Sequence, residues 1–211
     1  MDSLLLLAEL SQFDEPTLSK IAKGLPDDRR DRANRAKNPI ARASEILAYA
    51  LLAYGVKQLL PEESMPTVAY GEFGKPYFPE HSLAFSITHS RHAVAVLLSK
   101  AFGEVGIDLE EIRPLREALV QRIAGQSELC EIHSDADAIA LWTKKEAFAK
   151  REGKGLRGDL REIPTDDTRT VFLASGETRF VLSVSPVAAL TRETRQTVLS
   201  PSELLNGLCG C

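Results

Sequence analysis

The stretch LAFSIT-HSRH-AVAVLLS, residues 83–99, decides the fold class. Two aliphatic and β-branched runs, 83–88 and 93–99, flank four polar residues from His89 to His92. That pattern predicts a β-hairpin. A second pair follows at 170–174 and 179–184, with Ser175-Gly176 expected at its turn. Parallel neighbours need a crossover of a dozen or more residues, so turns this short favour antiparallel sheets over a doubly wound one.

Single strands are expected at 4–10 and 105–110. Helices are expected at 15–23, entered through Pro16, and at about 40–60, where Ile46, Leu47, Ala50, Leu51 and Tyr54 recur at helical spacing before Pro61. Another is expected at 114–124. A last one starts from a cap at Asp135 or Asp137 and runs through Ile139, Trp142, Ala147 and Phe148 to Arg151, where Gly153, Gly155 and Gly158 stop it. The tail after Pro201 is expected to fray. Each half offers a long helix, then a Gly-Lys loop (Gly74-Lys75, later Gly153-Lys154), then two short strands. The expected architecture is therefore α+β, a pseudo-duplicated fold of two similar halves, 1–103 and 104–211, forming one unit with the site between them.

The chain has 211 residues, 44% apolar and 27% charged, which is an ordinary globular balance. Its net charge of −4 argues against a nucleic-acid partner. The apolar run Leu4 to Leu7 is too short to span a membrane, and no basic stretch precedes it. Three cysteines (Cys130, Cys209, Cys211) are too few for a disulfide framework, so a cytoplasmic chain with reduced thiols is expected.

Several motifs fail on context. Gly153-x-Gly155-x-x-Gly158 has the dinucleotide-binding spacing but follows a helix, where that fingerprint needs a strand. Cys209-x-Cys211 lacks companion ligands for zinc. His81 and His133 read as surface residues.

What survives is acidic. Asp108 and Glu110 alternate along a strand and share one of its faces, with Ile107 and Leu109 on the other. In LWTKKEAFAK (141–150), Glu146 and Lys150 share a helical face. Either pair alone is usually a solvated edge or an exposed ion pair. Three carboxylates from two elements, with lysines beside them, suit a hard cation such as Mg²⁺ bridging a phosphate ester.

These residues carry a resemblance. Gly106-Ile107-Asp108-Leu109-Glu110, then Trp142-Thr143-Lys144-Lys145-Glu146-Ala147-Phe148-Ala149-Lys150 and Gly153-Lys154-Gly155, is similar to the 4′-phosphopantetheinyl transferase family, in its surfactin-synthetase (Sfp-like) branch. Gly74-Lys75-Pro76 and Phe85-Ser86-Ile87-Thr88-His89-Ser90 add to it, with Thr88 where serine is common, over a span from about Arg42 to Leu156. The resemblance implies transfer of the phosphopantetheine arm of coenzyme A to a serine of an apo acyl, peptidyl or polyketide carrier protein, releasing 3′,5′-ADP. It implies Mg²⁺ on Asp108, Glu110 and Glu146, with Glu146 taking the serine proton and Lys150 neutralising the departing phosphate. Arg42, Lys75 and His89 would bind the nucleotide end of coenzyme A, with lesser contacts from Thr88 and Ser90. Lys154 and Lys145 are weaker phosphate candidates. Arg29, Arg32 and their basic neighbours up to Lys37 read equally as a rim for phosphate or carrier protein and as a solvated helix face. A monomer is expected. Other readings of the same residues are a metal-dependent nucleotide phosphohydrolase and a non-catalytic binder of coenzyme A or carrier proteins.

Overall fold

Strand β1 (Ser3–Glu9) is apolar almost throughout because both its faces are buried. Leu4, Leu6 and Ala8 face one core, while Leu5 and Leu7 face a second. The computed structural model describes residues 2–175, 177–191 and 194–208. Gly176, Cys209 and Cys211 therefore lie outside the described residues.

After β1 come α1 (Glu15–Lys23), α2 (Asp27–Asn34) and the long α3 (Pro39–Leu59). Asn38 caps α3 by accepting from the amide of Ala41 at 2.8 Å, with Pro39 in its first turn. A two-residue ribbon, β2 (Ala69–Tyr70) and β3 (Pro76–Tyr77), leads to the hairpin β4 (Ala84–His89) and β5 (Ala93–Ser99). Next are β6 (Gly106–Glu111), short helices α4 (Glu117–Ile123) and α5 (Gln126–Leu129), and α6 (Asp135–Glu152). The chain closes with β7 (Arg169–Ser175), β8 (Thr178–Ser185), β9 (Arg195–Val198) and α7 (Pro201–Leu208).

The α+β duplication is present in the topology. In the first half β5 lies between β1 and β4, and in the second β8 lies between β6 and β7. All four of those pairings are antiparallel. Each half is thus strand, helix, strand, strand, with the last strand in the middle. Leu4, Leu6, Val94, Val96 and Leu98 pack on α3 with Ile46, Leu47 and Leu51. Leu5, Leu7, Ala95 and Leu97 meet Ile107, Leu109, Leu182 and Val184 of the second sheet. The other face of that sheet carries α6.

The boundary at 103/104 needs correction. Strand β9 joins the first sheet, parallel to β1, with Leu5 opposite Gln196. Helix α7 is ordered rather than frayed, and its Leu204 is fully buried in the α3 core. Strand β9 and helix α7 thus pack with the first half, and among the described residues β1–β9 is the one parallel pair between otherwise antiparallel strands.

Ser134, rather than Asp135 or Asp137, caps α6, accepting from the amide of Asp137 at 3.2 Å. Asp137 answers by accepting from the amide of His133 at 3.1 Å. At the other end Gly153 takes the left-handed conformation (φ 68°), which terminates the helix at little steric cost. No helix among the described residues is long and apolar enough to cross a membrane.

Candidate active site

Strand β6 turns Ile107 and Leu109 into the core between the sheets, so Asp108 and Glu110 must face α6. Helix α6 lies close because Gly106 has no side chain. A Cβ there would stand 1.9 Å from the carbonyl oxygen of Ala147. The approach brings Lys150 onto Asp108, with Nζ donating to Oδ1 at 2.6 Å. The other oxygen of Asp108, Oδ2, is buried without a hydrogen-bond partner.

Glu146 and Glu110 complete the acidic group. Burial pushes the Glu146 carboxyl above its ordinary value, and the nearby charge of Asp108 adds to the shift. Glu110 is raised for the same two reasons in the same order. Arg113, whose Nη2 lies 3.7 Å from Glu110, and Lys150 oppose that shift. Glu146 therefore feels both Asp108 and Glu110, while Glu110 feels Asp108 and Glu111, and Lys150 partly offsets both shifts. Among the described residues no three acidic, histidine or cysteine side chains stand close enough to enclose an ion. The donor chemistry nonetheless fits a hard divalent cation: the set is all carboxylate oxygen, and buried Oδ2 of Asp108 offers an unused ligand atom.

Beside this group runs a cleft of about 310 Å³, whose lining includes Phe85, Ile87 and Lys150. Its far wall was only half legible in the sequence. Arg29 lies over the rings of Tyr49 (5.3 Å) and Tyr70 (5.6 Å), and its Nη1 donates to the Tyr70 hydroxyl at 2.5 Å. Arg32 is paired with Glu45 through Nε at 2.8 Å. The basic cluster is thus helix α2, with Arg29 and Arg32 facing the cleft. The two tyrosines come from elsewhere in the chain and had no local signal.

The remaining expected residues are placed as follows. His89, exposed at the end of β4, lines this cleft and a second groove that is also lined by Glu110. The Ser90 hydroxyl accepts from the amides of His92 and Ala93, both at 3.3 Å, and so shapes the hairpin turn. Lys75 reaches the C-terminal end of α6, donating to the carbonyl of Arg151 at 2.6 Å and pairing with Glu104. Arg42 is turned to α1, where it holds Glu15 at 2.8 Å. Lys154 is exposed, with Glu152 at 3.9 Å.

Thr88 and Lys145 are both held by neighbouring protein groups. The Thr88 hydroxyl donates to Asp108 Oδ1 (3.1 Å) and accepts from Lys150 Nζ and the Leu109 amide (3.2 Å each). A hydroxyl has one proton and two lone pairs, and all three are engaged in this arrangement. Lys145, expected as a weaker phosphate candidate, is 1% exposed and too deeply buried for that role. Its Nζ donates to Glu128 Oε2 (2.9 Å) and to the carbonyls of Leu160 (3.0 Å) and Arg161 (3.2 Å), which satisfies all three protons. Lysines five apart on a helix point about 140° away from each other, so only Lys150 can face the carboxylates. Lys145→Met is expected to cost roughly 2 to 3 kcal/mol, because it strips the charged partner from Glu128 and two carbonyls. Urea denaturation of both proteins checks this, and an unchanged midpoint would refute the buried role.

A family model described as the 4′-phosphopantetheinyl transferase superfamily matches residues 104–198. The chain is 39% identical over 99 residues to the 4′-phosphopantetheinyl transferase AcpT of Escherichia coli (strain K12), covering 42% of this chain and 50% of that protein. It is 34% identical over 128 residues to AcpT of Salmonella typhi, covering 56% of this chain and 63% of that one. A putative 4′-phosphopantetheinyl transferase of Synechocystis is 28% identical over 198 residues, covering 85% of this chain and 79% of its own. The matched part spans half the length of the Escherichia coli relative.

Proposed function

We propose, from the premise that this chain carries a domain of the 4′-phosphopantetheinyl transferase superfamily over residues 104–198, that it transfers phosphopantetheine from coenzyme A to a serine of apo carrier proteins. The observation that carries the proposal is the meeting of Asp108 and Lys150, with Glu110 and Glu146 close by, at the end of a cation-lined cleft. The serine oxygen bonds to the pantetheine-side phosphorus. The bond from that phosphorus to the bridging oxygen breaks, and 3′,5′-ADP leaves. Such a displacement needs positioning and charge neutralisation more than covalent help.

Glu146 takes the serine proton, a role helped by a carboxyl that burial has already made more basic. Lys150 neutralises the leaving phosphate. Arg29, Arg32 and His89 line the nucleotide end of the cleft. Lys75 and Arg42 can exchange Glu104 and Glu15 for phosphate at small cost, since partly exposed ion pairs contribute little. Ser90 and Lys154 give lesser contacts. Mg²⁺ held by Asp108, Glu110 and Glu146 would supply charge neutralisation across the pyrophosphate. The acyl, peptidyl and polyketide carriers are the substrate class. We place the enzyme in the cytoplasm, where thiols stay reduced, acting as a monomer in which the two halves form one catalytic unit.

Asp108→Ala tests the metal assignment. Mg²⁺ is expected to raise the melting temperature of the parent chain, as any ligand of the native state does. The variant should lose that rise together with release of 3′,5′-ADP in the presence of an apo carrier. A variant that keeps both would put the metal elsewhere.

A further inference from the structure

Helix α2 buries only Ala33, so what aims it at the cleft is largely polar and aromatic. Arg29 and Arg32 are three apart and share one helical face. Arg32 makes a two-point pair with Glu45 of α3, through Nε at 2.8 Å and Nη2 at 3.2 Å. Arg29 pairs with Asp28 on its own helix at 3.1 Å and lies over the rings of Tyr49 and Tyr70. Tyr70 joins the two arginines. Its hydroxyl accepts from Arg29 Nη1 at 2.5 Å and, at a longer 3.5 Å, from Arg32 Nη1. The tyrosine is itself held by a separate element: the β2–β3 ribbon sets Tyr70 opposite Pro76, and the Gly71 amide donates to the carbonyl of Lys75 at 2.9 Å.

A guanidinium has five N–H donors, and these contacts engage at most three on either arginine, so both keep donors for an anion. Resting on the transferase reading above, we infer that Tyr70 is a positioning residue for nucleotide recognition: its ring and hydroxyl hold Arg29 and Arg32 as a pair directed at one phosphate. In that reading Lys150 and the carboxylates take the diphosphate of coenzyme A. The phosphate monoester on the ribose is then left for the arginines, and two adjacent guanidiniums suit such a dianion. Long side chains lose rotamer freedom when they grip a ligand. A guanidinium already held by a ring and a hydroxyl has lost that freedom beforehand, so the ligand binds more tightly. Support of this kind acts on ground-state binding and therefore on KM, with kcat left alone.

Tyr70 is 46% exposed, so its replacement should leave the fold standing. Tyr70→Phe removes the hydroxyl and keeps the ring, while Tyr70→Leu removes both. Tyr77→Phe, on the same ribbon but outside the cleft lining, is the control. Tyr70→Phe is expected to weaken coenzyme A about three- to tenfold, in Kd by calorimetry and in KM, with kcat within about twofold. Tyr70→Leu should weaken it about tenfold or more, because the ring face is lost as well. Dephospho-coenzyme A lacks the ribose monoester and should lose less than about twofold in either variant. Equal weakening of the two ligands would put Tyr70 on the base or the diphosphate and overturn the inference. The posture of the arginines is read without any ligand by phenylglyoxal, an arginine-selective reagent, followed by peptide mass spectrometry against exposed Arg195. Tyr70→Leu should speed modification of Arg29 and Arg32 severalfold, and Tyr77→Phe should not. Unchanged rates in Tyr70→Leu overturn the inference whatever the affinities are, since Tyr70 would then be a ligand contact at most. The expected rates in a parent chain that binds no coenzyme A would fault the transferase reading alone.

Discussion

Glu146→Gln is expected to transfer phosphopantetheine about 10²- to 10⁴-fold more slowly than the parent chain, the range that general-base catalysis supplies. Coenzyme A should still bind, because the cleft proposed for its nucleotide is lined mainly by α2, α3 and β4 and does not include Glu146. The same variant should be more stable at neutral pH. The Glu146 carboxyl is raised in the folded chain, by burial first and by Asp108 second. The native state therefore holds the proton more tightly than the unfolded one. Its contribution to stability is fully present below the ordinary glutamate value of 4.5 and is lost as pH rises through the folded value. Glutamine carries no charge to bury, so its advantage should be plain at pH 7 and shrink as pH falls below the usual carboxylate range. Denaturation of both proteins at the two ends of that window, without divalent cations, reads this. A glutamine variant that is less stable at neutral pH would show that Glu146 is comfortable as an anion and that the carboxylates do not crowd one another.

Gly106→Ala should disrupt the fold itself. The added Cβ would meet the carbonyl oxygen of Ala147 at 1.9 Å and the amide of Arg151 at 2.5 Å. Both are backbone atoms of α6, so no side-chain rotation relieves the clash. Overpacking usually costs 1–3 kcal/mol, and a clash with backbone lies at or beyond the top of that range, about 3 kcal/mol or more. For a chain of this size that is roughly a 6 to 12 °C fall in melting temperature. Whatever folds would hold α6 farther from β6, and a shift of about 1 Å in Lys150 and Glu146 relative to Asp108 can cost about 10²-fold in rate. A melting temperature within two degrees or so of the parent would mean that β6 and α6 do not touch this closely.

The parts of this structure that could be read from sequence are those with a local period. Helix α3 announces itself through Ile46, Leu47, Ala50 and Leu51, all fully buried. Strands β1 and β5 announce themselves as unbroken apolar runs. Strand β9 has no such signal: Arg195, Gln196 and Val198 are exposed, and only its parallel pairing with β1, nearly the whole chain away, makes it a strand. Helix α2 buries only Ala33 and has no apolar face to detect. The site divides the same way. Asp108, Glu110, Glu146 and Lys150 were legible because period-two and period-four spacings put them on shared faces. Saturation of the Thr88 hydroxyl, burial of the Lys145 ammonium and the stacking of Arg29 between Tyr49 and Tyr70 all depend on partners from distant segments. Spacing along the chain carries no record of them.

The central claim is that the cleft and its carboxylates move phosphopantetheine, and intact-protein mass spectrometry tests it most directly. A panel of apo acyl and peptidyl carrier proteins is incubated with this chain, coenzyme A and Mg²⁺, with a parallel series in EDTA. The account predicts that at least one carrier gains the mass of a single phosphopantetheine on a serine, and that EDTA abolishes the gain. A panel in which no carrier gains mass, although coenzyme A binds the chain, would contradict it.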